Sequence, residues 1–193
     1  MGNVRSVQKA LAHVAPNDQI FLTDDAALIR NADRIVFPGQ GAIGACMKAL
    51  DEHNLIEVIK QVANEKPFLG ICLGLQLLFD HSQENGGTEG LSILAGDVVH
   101  FPENELKIPH MGWNKVKQTQ EHPLWYKIEN NARFYSVHSY YVEQSDSSVV
   151  AGSSDYGIDF TCAVAKDNLF AVQFHPEKSQ HDGLQLLKNF VHW

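Results

Sequence analysis

Cys72 stands between two glycines, in the run Phe68-Leu69-Gly70-Ile71-Cys72-Leu73-Gly74-Leu75-Gln76. The residues before it read as a strand and those from Leu73 to Phe79 as a helix, which is the cysteine form of the G-x-S-x-G nucleophile elbow. Such a turn holds its side chain at the carboxyl end of a strand, and small neighbours let the backbone turn and a substrate approach. The helix that follows aims its N–H groups and positive dipole end at the sulfur, which favours thiolate. Alone, the motif also describes a buried structural cysteine, since free cysteine is among the most buried residue types. A second stretch, Phe174-His175-Pro176-Glu177 behind the apolar run 169–173, changes that reading. Residues i and i+2 of an extended chain point the same way, and Pro176 pushes the residue before it toward that conformation. A carboxylate beside an imidazole fixes the ring's tautomer, and the other nitrogen can take a thiol proton. Together the two stretches predict a Cys72-His175-Glu177 triad in that chain order.

Elements must bring those strand ends together. Val4, Val7, Leu11 and Val14 recur at helical spacing and predict an opening amphipathic helix. Residues 19–23 read as a short strand, and Asp24-Asp25 as the cap of a helix through about Asn31. Residues 34–37 read as a strand stopped by Pro38-Gly39, with helices over 43–50 and 55–64 before the elbow strand. This β-α alternation predicts a parallel, buried sheet. From Gly96 onward short strands are expected at 97–101, 113–117, 133–137, 140–143, 149–152, 161–165 and 169–174, then a closing helix at 182–191. Residues 82–88 read as a loop. No repeat or linker divides the chain, so residues 1–193 read as one α/β domain with an antiparallel excursion in its second half.

The bulk numbers exclude several classes. A chain of 193 residues suits one domain with a full core, and 44% hydrophobic with 20% charged residues is ordinary for a globular protein. The formal net charge of -8, with scattered Lys and Arg, argues against a nucleic-acid partner. Three cysteines (Cys46, Cys72, Cys162) without a C-x-x-C argue against a disulfide framework or zinc ribbon and fit a reducing cytoplasm. No apolar stretch reaches membrane-spanning length. The ten histidines contain no H-E-x-x-H or paired ligand set, so neither a metal nor a cofactor is expected.

The elbow and the His-Pro-Glu stretch resemble those of the class I (triad) glutamine amidotransferases. Residues 1–7, Phe37-Pro38-Gly39-Gln40-Gly41-Ala42, Lys107-Ile108-Pro109-His110-Met111-Gly112-Trp113-Asn114 and 134–140 extend the resemblance over almost the whole chain. It implies a flavodoxin-like three-layer sandwich with a mostly parallel sheet and antiparallel additions. It also implies hydrolysis of L-glutamine to glutamate and ammonia: Cys72 attacks the carboxamide carbon, His175 held by Glu177 moves the protons, and water releases a γ-glutamyl thioester. Oxyanion donors would be the N–H of Leu73 and a peptide at Gln40, where flanking Gly39 and Gly41 let the backbone flip. Gln76, Glu84, Ser139 and Tyr140 would touch the substrate, Glu84 through its α-amino group. The 107–114 stretch and 134–140 resemble the subunits that pass ammonia to a (β/α)8 cyclase subunit making imidazole glycerol phosphate in histidine biosynthesis, as a heterodimer. Lys107, His110, Trp113, Asn114 and Lys178 would then form the partner surface, because Trp is favoured at interface hot spots. Two alternatives stay open: the same glutaminase serving sugar amidation in surface-polysaccharide synthesis, and a catalytically silent binding subunit. Relatives place a hydrophobic strand before the opening helix, whereas Met1 stands where it would end; the expectation is a natural chain that begins upstream, and a sheet lacking that strand.

Overall fold

The computed structural model describes residues 4–103 and 106–193; Met1, Gly2 and Asn3 of the compared N-terminal stretch lie outside them. The chain opens with α1 (Val4–Val14), whose Val7, Ala10 and Leu11 are buried. The Asp25 carboxylate caps α2 (Ala26–Asn31), accepting from the N–H of Ala27 at 2.7 Å and of Leu28 at 3.3 Å. Strand β1 (Ile35–Gly39) runs through Pro38-Gly39 rather than stopping before it. Helices α3 (Ile43–Glu52) and α4 (Ile56–Glu65) follow, and α4 buries Val58, Ile59, Val62 and Ala63 along one stripe. Strand β2 (Phe68–Cys72) then leads into α5 (Leu73–Gln76).

The expected helix to Phe79 ends three residues early: Leu78 and Phe79 donate only three residues back, to Leu75 and Gln76, and the returning chain bars any continuation. Leu91 N–H donates to Leu77, Ser92 to Phe79, and Ile93 to Leu78, leaving those oxygens no part in a longer helix. Beyond it come β3 (His81–Ser82), β4 (Thr88–Glu89), β5 (Gly96–His100), β6 (His110–Lys115) and β7 (Lys117–Gln118). The chain continues through β8 (Arg133–His138), β9 (Tyr140–Gln144), β10 (Val150–Asp155), β11 (Asp159–Lys166) and β12 (Leu169–Val172), and closes with α6 (Gln180–Val191).

The main sheet of the described residues runs β1-β2-β12-β11-β9-β5-β3-β4, with β10 paired to β11 and β7 to β10; β6 and β8 form a separate antiparallel ribbon. Parallel pairing joins β1 to β2, β2 to β12 and β3 to β5, and the other pairs are antiparallel. Parallel order therefore holds where the triad strands lie, while the sheet as a whole is mixed. Two cores flank it. One gathers α1 and α6 residues (Val7, Leu11, Leu186, Phe190) with Leu69 and Phe170; the other gathers Ile43, Val58, Ile59 and Val62 with Phe68 and Val164. These are the layers of an α/β/α sandwich.

Residues 19–23 do not form the expected strand. Among the described residues β1 pairs only with β2, and residues 19–23 do not pair with its open edge. Phe21 and Leu22 are 65% and 60% exposed. No helix among the described residues is long and apolar enough to cross a membrane.

Candidate active site

Three neighbouring strand ends build the site. The register sets Val172 beside Ile71, so the chain leaving β12 passes Cys72 on one side, while Gly39 of β1 lies opposite Cys72 on the other. Ligand sites in open α/β sheets favour such carboxyl ends. Cys72 turns with φ 56° and ψ −112°, a backbone few L-residues adopt. The turn closes only because Gly74 is bare: a Cβ there would sit on the Phe37 carbonyl oxygen of β1.

His175 is buried, and its Nδ1 lies 2.9 Å from Glu177 Oε1, whose side chain is wholly enclosed. Burial pulls the His175 imidazolium down, but hydrogen bonds to Cys72 and Glu177 and their negative charges outweigh it and raise its pKa to about 9. The ring thus sits between the Cys72 sulfur on one side and the Glu177 carboxylate on the other. Its backbone is stitched to β8. The N–H of His175 donates to the Tyr135 carbonyl at 2.8 Å, and the Ser179 hydroxyl donates to the His175 carbonyl at 2.7 Å while accepting from Tyr135 N–H at 2.9 Å.

These groups floor a cavity of about 360 Å³, large enough for an amino acid, lined also by Gln40, Gly41, Leu73, Gln76, Glu84, Ser139, Tyr140 and Lys178. Most residues expected at the substrate thus share one cleft; Gly39 instead packs beneath it, where a Cβ would strike that of Leu73. Glu84 is partly committed, since its Oε2 accepts from Ile43 N–H at 2.7 Å and caps α3. Gln76 is buried, and its amide donates to the Tyr140 carbonyl at 3.1 Å and to Gln173 Oε1 at 2.9 Å. The other thiols are poor nucleophiles: burial raises Cys46 above the usual thiol range and pushes Cys162 up to about 12.

Of the expected partner surface, Trp113 and Met111 are 43% and 62% exposed on the outward face of β6. Lys107 is exposed, its carbonyl accepting from the Tyr156 hydroxyl, and the ammonium of Lys178 lies 5.6 Å from the centre of the Tyr135 ring. His110 is a correction. It is 3% exposed, because alternation along β6 turns residues 110, 112 and 114 inward. Its ring stacks on Tyr156 with centroids 4.1 Å apart, and Asn114 beside it donates to the Asp155 carbonyl. Sequence reasoning did not single out Gln173, and it noted His138 only for main-chain groups, whereas its ring bonds to the Tyr140 carbonyl and lies 3.0 Å from His110. Gln173 was readable: as i to the i+2 of His175 on an extended chain, it points to the same side.

The family model for the glutamine amidotransferase class-I family matches residues 3–193. The chain belongs to that family. It is 57% identical to the imidazole glycerol phosphate synthase subunit HisH of Hydrogenovibrio crunogenus, over 100% of this chain and 92% of that protein. It is 54% identical to the protein of the same name from Aromatoleum aromaticum, over 100% and 94%. Among solved structures, a glutamine amidotransferase superimposes with TM-score 0.73 at 16% identity, covering 99% of this chain and 93% of that one. The Trypanosoma brucei CTPS glutaminase domain with bound acivicin gives TM-score 0.66 at 17% identity, covering 99% and 89%. Both likenesses speak to the amidotransferase fold.

Proposed function

We propose that this amidotransferase is the glutaminase subunit of imidazole glycerol phosphate synthase, releasing ammonia from L-glutamine through Cys72, His175 and Glu177 and passing it to a (β/α)8 cyclase subunit. The observation that carries the reading is geometric: Cys72 and His175 line one amino-acid-sized cavity, and the enclosed Glu177 carboxylate lies 2.9 Å from His175 Nδ1. Full-length identity of 57% and 54% to subunits of that name supports the pathway.

In this reading the Cys72 sulfur attacks the carboxamide carbon, and the His175 imidazolium protonates the departing nitrogen to free ammonia. Neutral His175 then takes a proton from water as that water attacks the γ-glutamyl thioester, returning the thiol group to its starting state. Glu177 keeps the imidazole oriented throughout. The oxyanion of each tetrahedral intermediate needs donors about 2.7–3.1 Å away, each worth roughly 3–4 kcal/mol. Leu73 N–H, first in α5, and a flipped peptide at Gln40 are the candidates. Gly41 has φ 86°, and no atom lies within 4 Å of where a Cβ would stand, which leaves that peptide room to turn.

The cyclase would seat on the outward face of the β6–β8 ribbon, where Met111, Trp113, Tyr135 and Val137 alternate with Lys115 and Arg133. Val137, Pro109 and Lys178 line the cavity mouth, and Tyr135 is bonded to the His175 backbone, so the ribbon touches both partner and triad. The test is ammonia release from glutamine by the purified chain, alone and with the cyclase subunit and its nucleotide ligand. The expected result is slow release alone and about 100-fold activation, which needs only about 2.7 kcal/mol. No release with the liganded partner present overturns the reading.

A further inference from the structure

A buried hydrogen-bond chain runs from the ribbon to the nucleophile, and it can be protonated in only one way. Its fixed point is the Tyr140 carbonyl, which can only accept. His138 Nδ1 lies 2.8 Å from that oxygen and must donate, so the neutral ring presents Nε2 as an acceptor. His110 Nδ1, 3.0 Å from it, therefore donates, and His110 Nε2 accepts from the Asn114 amide at 3.3 Å. Burial lowers both rings' affinity for a second proton, which keeps the arrangement neutral. On the other side of Tyr140, the Gln76 amide spends both hydrogens, one on the carbonyl and one on Gln173 Oε1. Gln173 is fully buried and so cannot turn over without setting two NH₂ groups against each other. Its own NH₂ is thereby forced toward Cys72 Sγ, 3.8 Å away.

We propose that Gln173 is a further catalytic residue, whose amide N–H donates to the Cys72 sulfur and stabilises it as an anion, with Gln76 as the positioning residue that locks the amide's orientation and His138 as a second donor holding the Tyr140 carbonyl that Gln76 uses. This rests on the glutaminase reading for the reaction served, but the contact is with sulfur, not substrate. Two donors then grip the sulfur from the segment that leaves β12, His175 and Gln173. The second carries no proton to lose, so it persists through the cycle when His175 is neutral. Loss of the thioester sulfur as an anion during hydrolysis is the step that gains most.

The test reads Cys72 directly. Iodoacetamide alkylation of the full chain is followed across pH 5–10 by intact mass, beside ammonia release with the liganded cyclase. His175, Glu177, Glu84, His138 and Lys178 are the titratable groups around the sulfur and cavity, so each variant is compared with wild type in the same buffer series. Gln173→Leu keeps the volume and removes the donor; its alkylation profile should move up by about one pH unit, slowing alkylation near pH 7 roughly tenfold. Gln173→Glu replaces the donor by an acceptor and should move it further. His138→Leu, which removes one donor to Tyr140, should shift it in the same direction by less. In wild type the Gln173 side-chain amide resonances should titrate with the alkylation midpoint, a measurement that needs no variant to fold. Folded Gln173→Leu with a profile superimposed on wild type, or amide resonances that stay flat, overturns the proposal. Absence of ammonia release from wild type with an intact alkylation shift would instead sink the glutaminase reading alone.

Discussion

The β1-β2-β12 end of the sheet and the β6–β8 ribbon meet at the same cavity but are built on opposite terms. Its inner strands are buried on both faces: every residue of β12 and the first four of β2 are buried, while β1 is half-buried beyond Ile35. The ribbon is half solvated, apolar and aromatic outward, polar inward. The first region can hold a strained nucleophile because its neighbours leave no alternative. The second meets the candidate triad through the Tyr135 backbone bonds to His175 and Ser179, through Phe134 stacked on Phe174, and through the His138 hydrogen bond to Tyr140. In the glutaminase reading, chemistry sits on the stiff half and control on the softer, half-solvated half.

Substitutions should separate the two. Cys72→Ala and His175→Ala should lower ammonia release at least about a thousandfold while leaving a cooperative melt, since nucleophile and base act as a unit. Coupled ammonia assays and circular dichroism check this. Gly74→Ala should cost about 3 kcal/mol or more of stability, because the new methyl must displace the Phe37 carbonyl; urea unfolding measures it, and a change under 1 kcal/mol would mean that the stiff half yields. Trp113→Ala should reverse the pattern, weakening cyclase binding by about 2 kcal/mol and leaving stability within about 0.5 kcal/mol of wild type; calorimetric titration beside a melt decides.

A smaller expectation concerns pH. His138 is buried and His122 half-buried, and desolvation lowers their pKa values to about 3 and about 4 from 6.5. The unfolded chain binds those protons first, so stability should fall as pH drops below about 6.5. His175 has the opposite sign: its pKa is about 9 folded against 6.5 unfolded, so its contribution is full below about 6.5 and is lost as pH rises toward about 9. Urea midpoints across pH 4–9 should decline on both sides, and His138→Phe should flatten the acid limb; a midpoint independent of pH between 4 and 6.5 would refute this.

The same contrast explains what the sequence revealed. Cys72, His175 and Glu177 were legible as candidates because short runs with fixed offsets mark them, and the structure brings them together as the offsets suggest. The helices were legible from spacing, as with Val4, Val7 and Leu11. The ribbon was misjudged because its inward face carries His110 and Asn114, which an apolar alternation cannot mark, so the strand expected at 113–117 begins at His110. The strand expected at 19–23 failed for a different reason: a pattern can propose a strand, but pairing makes one, and this segment does not pair with the open edge of β1. His138 needed the β6–β8 register, which sets it opposite His110 and exists only in three dimensions.

The φ of 56° at Cys72 has a consequence for evolution and for screening. A side chain held there costs about 1–3 kcal/mol, and glycine would relieve it. Cys72→Gly should therefore be inert yet melt higher than Cys72→Ala, by roughly 1 kcal/mol. Differential scanning calorimetry of the two variants tests it, and equal melts would show that the turn is unstrained. A survey of heat resistance alone, with no substrate in the tube, would then flag position 72 as the place where the folded chain gives up robustness for reactivity.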